Sequence, residues 1–185
     1  MNISPEEAQE SLAVVQQTGA KLRKAYGYNG YYVILWGLIW LFGFLASQYL
    51  PPVPGYWIWG ILIIVGWAAS AFLEIYQGVH IRSKAGPRVG MFWGILIVFS
   101  ILWFIILHPS SAQQGVLFLV TLILFGGIVS GVISRDFSSV IGCIAIAILS
   151  VVGYYLVPAY FYLWEAIFGG LSMLIIGLVL RLGWR

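Results

Sequence analysis

From residue 29 onward the chain consists of long apolar runs separated by short breaks. Six runs approach the roughly 20 mostly apolar residues that a helix needs to cross the hydrocarbon core of a bilayer. They fall at about Tyr31–Leu50, Trp57–Gln77, Val89–Leu107, Gly115–Ser134, Ser139–Val157 and Ala159–Arg181. The breaks are Pro51-Pro52-Val53-Pro54-Gly55, the stretch around Arg82, His108-Pro109-Ser110-Ser111, Arg135-Asp136 and Pro158. Proline and glycine suit such turns because neither continues a helix easily. Lipid leaves helices and closed barrels as the architectures that satisfy every backbone group. Barrel strands alternate apolar and polar residues; these runs are continuously apolar. The pattern predicts an all-α fold, a polytopic membrane bundle of six transmembrane helices.

The segment before the first run has a different pattern. Ser4-Pro5-Glu6-Glu7 is a helix start, with a capping serine, a proline in the first turn and Glu7 completing a capping box. Glu6, Glu7 and Glu10 begin this helix, and Lys21, Arg23 and Lys24 end it, both matching the helix dipole. Ala8, Leu12, Val15 and Leu22 form a thin apolar stripe. Residues 1–28 are therefore expected to form an amphipathic cytoplasmic helix, and residues 29–185 the six-helix transmembrane domain. Such a helix lies along the headgroups, or docks a cytoplasmic partner or a second copy of the chain.

Composition agrees with lipid as the main solvent. Hydrophobic residues make up 62% of the chain and charged ones 8%, against about 25% charge in a typical soluble domain. The mean hydropathy is +0.98. The first 28 residues lack the apolar core and small-residue cleavage site of a signal peptide.

All nine Lys and Arg residues fall on one side of a six-span topology. Lys21, Arg23 and Lys24 precede the first span. Arg82, Lys84 and Arg88 lie between the second and third. Arg135 lies between the fourth and fifth, and Arg181 and Arg185 end the chain. The positive-inside rule then predicts cytoplasmic termini. It also explains the net charge of +3 without nucleic acid.

The spans resemble one another. Leu35-Trp36-Gly37-Leu38-Ile39 matches Phe92-Trp93-Gly94-Ile95-Leu96, and the looser Ile141-Gly142 stands in the fifth span. Pro54-Gly55-Tyr56-Trp57 matches Pro158-Ala159-Tyr160-Phe161, and a glycine follows each proline by the same interval, at Gly66 and Gly170. Gly115 and Gly127 repeat that interval. The chain reads as three helical hairpins of one orientation, a parallel repeat about the membrane normal. In size, span count, hairpin plan and the Leu35-Trp36-Gly37-Leu38-Ile39-Trp40 start, it resembles six-span prokaryotic inner-membrane proteins, in layout the HdeD-like acid-resistance membrane proteins. That resemblance implies a prokaryotic inner membrane and a stress-related role, and carries over no functional residue. The Pro-x-acidic-x-x-basic signature of mitochondrial carriers is absent.

Helices in lipid associate through close backbone approach. Gly127 and Gly131 form a small-xxx-small motif in the fourth span, and Gly66 and Ser70 one in the second. Gly43 with Ser47, and Cys143 with Ala147, have the same spacing. These pairs predict intramolecular packing; dimerisation through the fourth span is the alternative.

Candidate chemistry is sparse. Glu165 alone among the six acidic residues lies within a span and lacks an obvious local partner. An ionisable group there is a functional candidate by default. It is expected to face the bundle interior, bonded to a tyrosine or to His108, with Gln48, Tyr154, Tyr160 and Tyr162 in the same outer layer. The structural alternative is a carboxyl that snorkels to the interface or clamps a tyrosine. The single cysteine, Cys143, allows no disulfide within one chain. His80 and His108 fall on opposite faces, so no metal site is expected, and no phosphate loop or nucleophile–base pair points to a cofactor or to catalysis. Two functions remain: a non-catalytic subunit, scaffold or stress-related component acting through protein or lipid contacts, or a small transporter or channel, proton-linked through Glu165. A polar cavity reaching Glu165 would favour the second, a closed apolar core the first.

Overall fold

The computed structural model describes residues 30–78 and 86–182. The N-terminal amphipathic segment, His80 and the basic stretch from Arg82 to Lys84 lie outside the described residues. Six helices are long and apolar enough to span a membrane. They are α1 (Gly30–Tyr49), α2 (Pro52–Gly78), α3 (Gly86–Leu107), α4 (Ala112–Ser134), α5 (Phe137–Leu156) and α6 (Pro158–Leu182). Among the described residues there is no strand. The all-α bundle is as expected.

The helices start earlier than the apolar runs. Only Leu50 and Pro51 separate α1 from α2, so Pro52, Val53, Pro54 and Gly55 belong to the helix and not to a turn. The first helical turn needs no backbone N–H donors, which makes proline harmless there. The α4–α5 turn is equally short. Arg135 adopts the left-handed conformation (φ 57°) and Asp136 then caps α5, accepting from the Ser139 N–H at 3.3 Å and its hydroxyl at 2.6 Å. Arg88, Arg135 and Arg181 all fall at one end of the bundle, here called the basic end.

The core lies around α1. Ile39, Trp40 and Phe44 of α1, Val120 and Leu124 of α4, Ile146 of α5 and Ala166 of α6 form one buried cluster. In contrast, α2 and α3 bury little and present apolar side chains such as Ile64, Trp67, Phe72, Met91 and Val98 outward. In a bilayer those faces meet lipid tails, so their exposure is not a packing defect.

Glycines set the helix approaches. Gly30 and Gly37 of α1 meet Gly177 and Gly170 of α6 in antiparallel register. A Cβ at Gly37 would sit 2.8 Å from the Leu174 nitrogen, and one at Gly170 would sit 2.5 Å from the Leu41 nitrogen. These are backbone-on-backbone contacts. At the basic end, the Arg181 guanidinium lies over the Tyr31 ring, 4.6 Å from its centre.

The expected small-residue pairs pack within the chain. In α4 they serve two neighbours. Gly127 and Gly131 lie against Cys143 and Val140 of α5, while Gly126 lies under Trp93 and Leu96 of α3. The α4 glycine face expected for packing or dimerisation is thus filled by α3 and α5. Gly66 lies against Ile39 and Trp36 of α1, and the backbone oxygen of Ser70 accepts from the Tyr32 hydroxyl at 3.4 Å. Trp36 and Ile39 lie on Gly66, and Trp93 and Leu96 lie on Gly126, the neighbour of the Gly127 that the proline interval had picked out. The two Trp-Gly motifs still differ, since Gly37 is pressed against α6 and Gly94 faces open space.

Tryptophans clasp α2 to α1, α3 to α4 and α6 to α5. Trp59 of α2 lies on Gly43 and donates to the Ser47 hydroxyl of α1 at 2.8 Å. Trp93 of α3 donates to the Ser130 hydroxyl of α4 at 3.0 Å. Trp164 of α6 lies on Gly153 of α5 and donates to the Leu149 carbonyl at 2.8 Å. Each clasp satisfies an indole N–H that lipid could not, and fixes the register of its pair.

Candidate intramembrane polar site

The sixth span is not a uniform helix. It opens with a 3₁₀ turn (Pro158–Tyr160), runs as α-helix over Phe161–Glu165, widens into a π turn over Ala166–Leu171 and returns to α-helix over Ser172–Leu182. A π turn carries one extra residue within the helix and often marks a functional site. Here it brings Ala166, Gly169 and Gly170 together as buried small residues. Gly169 lies under the Trp40 ring and Gly170 against the Leu41 backbone, so the widened turn seats α6 on α1.

Glu165 is the last residue before that turn. Its side chain is 1% exposed. Oε2 accepts a hydrogen bond from the Ser150 hydroxyl of α5 at 3.1 Å. Oε1 is buried without a hydrogen-bond partner among the described residues. Phe161, fully buried, lies one turn nearer the proline-rich end on the same helix. Tyr154 of α5 packs edge-on against Phe161, their ring centres 5.7 Å apart.

Two glutamines pin the start of α6 at that end. The Gln48 side chain of α1 donates to the Ala159 carbonyl at 3.2 Å and accepts from the Leu163 N–H at 3.2 Å. Gln113 of α4 donates to the Pro158 carbonyl at 2.8 Å. Irregular backbone at membrane depth needs such partners, because the 3₁₀-to-α junction leaves groups outside the regular ladder.

Glu165 faces the interior, as expected, but its partner is Ser150 and neither a tyrosine nor His108. His108 lies exposed just past the end of α3 in a left-handed conformation (φ 41°), beside the turn proline Pro109. Tyr160 is also exposed, at 63%, because the 3₁₀ turn directs it outward. Tyr162 is half-buried against the core cluster. Gln48 reaches α6 through its backbone and not through the carboxyl. Sequence reasoning missed Ser150, although it lies one turn before Tyr154 on the same helix. It also missed the α1–α6 glycine contacts, although Gly30 and Gly37, and Gly170 and Gly177, share a heptad spacing.

Among the described residues no group of three His, Cys, Asp or Glu side chains could hold a metal ion. Around the carboxyl lie the Ser150 hydroxyl and, on the π turn, Gly169 under the Trp40 ring, a buried setting that can hold a proton. The chain matches no protein family, no curated protein and no solved structure. Fold and composition alone classify it: it is a multi-pass integral membrane protein.

Proposed function

We propose that this chain is a non-catalytic component of a prokaryotic inner membrane, a compact platform that works through protein or lipid contacts of its surface. One observation carries the reading. Five polar side chains within the spans make helix-to-helix bonds, namely Trp59 to Ser47, Trp93 to Ser130, Trp164 to Leu149, Ser150 to Glu165 and Gln48 to the α6 backbone, while Ser100 and Thr121 bond carbonyls of their own helices. A transport pathway needs polar groups that line water or substrate; these groups face each other across an apolar core. The platform then has an apolar interior held by bonds between its own helices, and the lipid-facing α2 and α3 as outer surface. The resemblance in layout to HdeD-like proteins favours a stress-related role. The one-sided Lys and Arg distribution supports cytoplasmic termini.

Proton-linked transport through Glu165 is the second reading, favoured by its unpartnered Oε1. Reconstitution into vesicles carrying a pH-sensitive dye separates the two. The platform reading expects proton entry under an imposed gradient to equal that of protein-free vesicles. It also expects the chain in mild extracts of native membranes to migrate in a larger particle than the purified chain. Proton entry above background that disappears in Glu165→Gln would replace the platform with a transporter.

A further inference from the structure

We propose that Glu165 is a proton-binding site whose occupancy latches the π turn of α6 against α1 and α5. An ionised carboxylate is not held in a sealed apolar site with one oxygen unpartnered; it must gain partners, gain a proton or leave. Ser150 provides one hydrogen bond, to Oε2. The closed arrangement therefore suits the neutral acid, with its proton on Oε1 and the carbonyl oxygen Oε2 accepting from Ser150.

Among the described residues the surroundings offer no counter-charge. From α1 the carboxyl meets the Trp40 side, with Gln48 further towards the proline-rich end. From α5 it meets Ser150, with Tyr154 one turn beyond and Cys143 deeper in the bundle. On α6 itself Tyr162 is the nearest titratable residue. From α4, Val120 and Leu124 complete the same core. Arg88, Arg135, Asp136 and Arg181 lie at the basic end, away from Glu165.

The element that yields is already irregular. The π turn begins at Ala166, directly after Glu165, and a Cβ added at its Gly169 would sit 3.4 Å from Oε2. Loss of the proton breaks the Oε1–H bond, leaves the electron pair on the carboxylate and transfers the proton to water at the proline-rich end. The charged group then requires hydration, which the fold grants only if Phe161 and the Gln48 clasp move aside and the π turn loosens from Trp40 and Leu41. The inference stands on this geometry and not on the platform reading: a latch can regulate a platform's surface or gate a pathway, and the dye measurement above is blind to it.

Infrared difference spectroscopy of the full chain in lipid tests it. Near neutral pH the wild-type protein should show a carboxylic-acid C=O band that is lost in Glu165→Gln. In Ser150→Ala the band should move to higher frequency, because Oε2 loses its donor. Raising the pH should remove the band reversibly and, in step, speed amide exchange across residues 166–171 after correction for intrinsic base catalysis. In Glu165→Gln that exchange step should vanish. Absence of a Glu165-dependent acid band at every pH at which the chain stays folded overturns the proposal, as does an identical exchange step in Glu165→Gln. Should Glu165→Gln fail to fold, the Ser150→Ala shift decides: a displaced band supports the site, and an unmoved band refutes it.

Discussion

Gly170→Ala should destabilise the bundle more than any other single methyl addition at a span glycine. The added Cβ would lie 2.5 Å from the Leu41 nitrogen and 2.7 Å from its Cα. Those are backbone atoms of a facing helix, so no rotamer change relieves the clash. The helices must separate, and separation also lifts Gly37 from Leu174 and Gly30 from Gly177. The expected cost is about 3 kcal/mol, the upper part of the usual range for overpacking a filled interior. Gly60→Ala is the control, because a Cβ there meets nothing within 4 Å. Thermal unfolding in detergent, followed by loss of the monodisperse peak, should show a clear fall for Gly170→Ala and no fall for Gly60→Ala. Equal midpoints would mean that α1 and α6 do not touch through glycine.

Phe161→Ala should cost a comparable or larger amount, about 3–5 kcal/mol, the range for emptying a buried aromatic site. Phe161 is wholly buried, packs against the rings of Tyr154 and Tyr162, and lies one helical turn from Glu165. In lipid the loss is one of packing more than of hydrophobic transfer, since tails are as apolar as the protein interior. Phe161→Leu, which keeps most of the volume, should lose much less. The same truncation removes the cover over Glu165, so water should reach the carboxyl from the proline-rich end. If Phe161→Ala melts with the wild type, the covered interior around Glu165 is not as described.

Much of this was legible in the sequence, because lipid imposes few but severe rules. Unbroken apolar runs specify six spans. The cost of charge in hydrocarbon singles out Glu165 and turns it inward. The prolines at 52 and 54 misled the helix boundaries, since a first helical turn tolerates what a helix interior does not. The partner of Glu165 was not legible because it depends on rotation about the α6 axis. The π turn sets that rotation for the following residues, and the seating of Trp164 on Gly153 sets which side of α6 meets α5. Nothing local announces a π turn beyond the Gly169-Gly170 pair. The heptad glycines of α1 and α6 were visible as spacing. Recognising them required pairing the first span with the last, a contact that adjacent-hairpin reasoning does not suggest.

The proposed orientation puts the basic end of the six-span chain in the cytoplasm, and cysteine labelling in intact cells tests it most directly. In a Cys143→Ala background, a single cysteine placed at Ser110, in the break between α3 and α4, should react with a membrane-impermeant maleimide from outside. One placed at Ser83, between α2 and α3, should react only after the cells are permeabilised. Labelling of Ser83→Cys in intact cells, with Ser110→Cys protected, would contradict the orientation; labelling of both would contradict the span count.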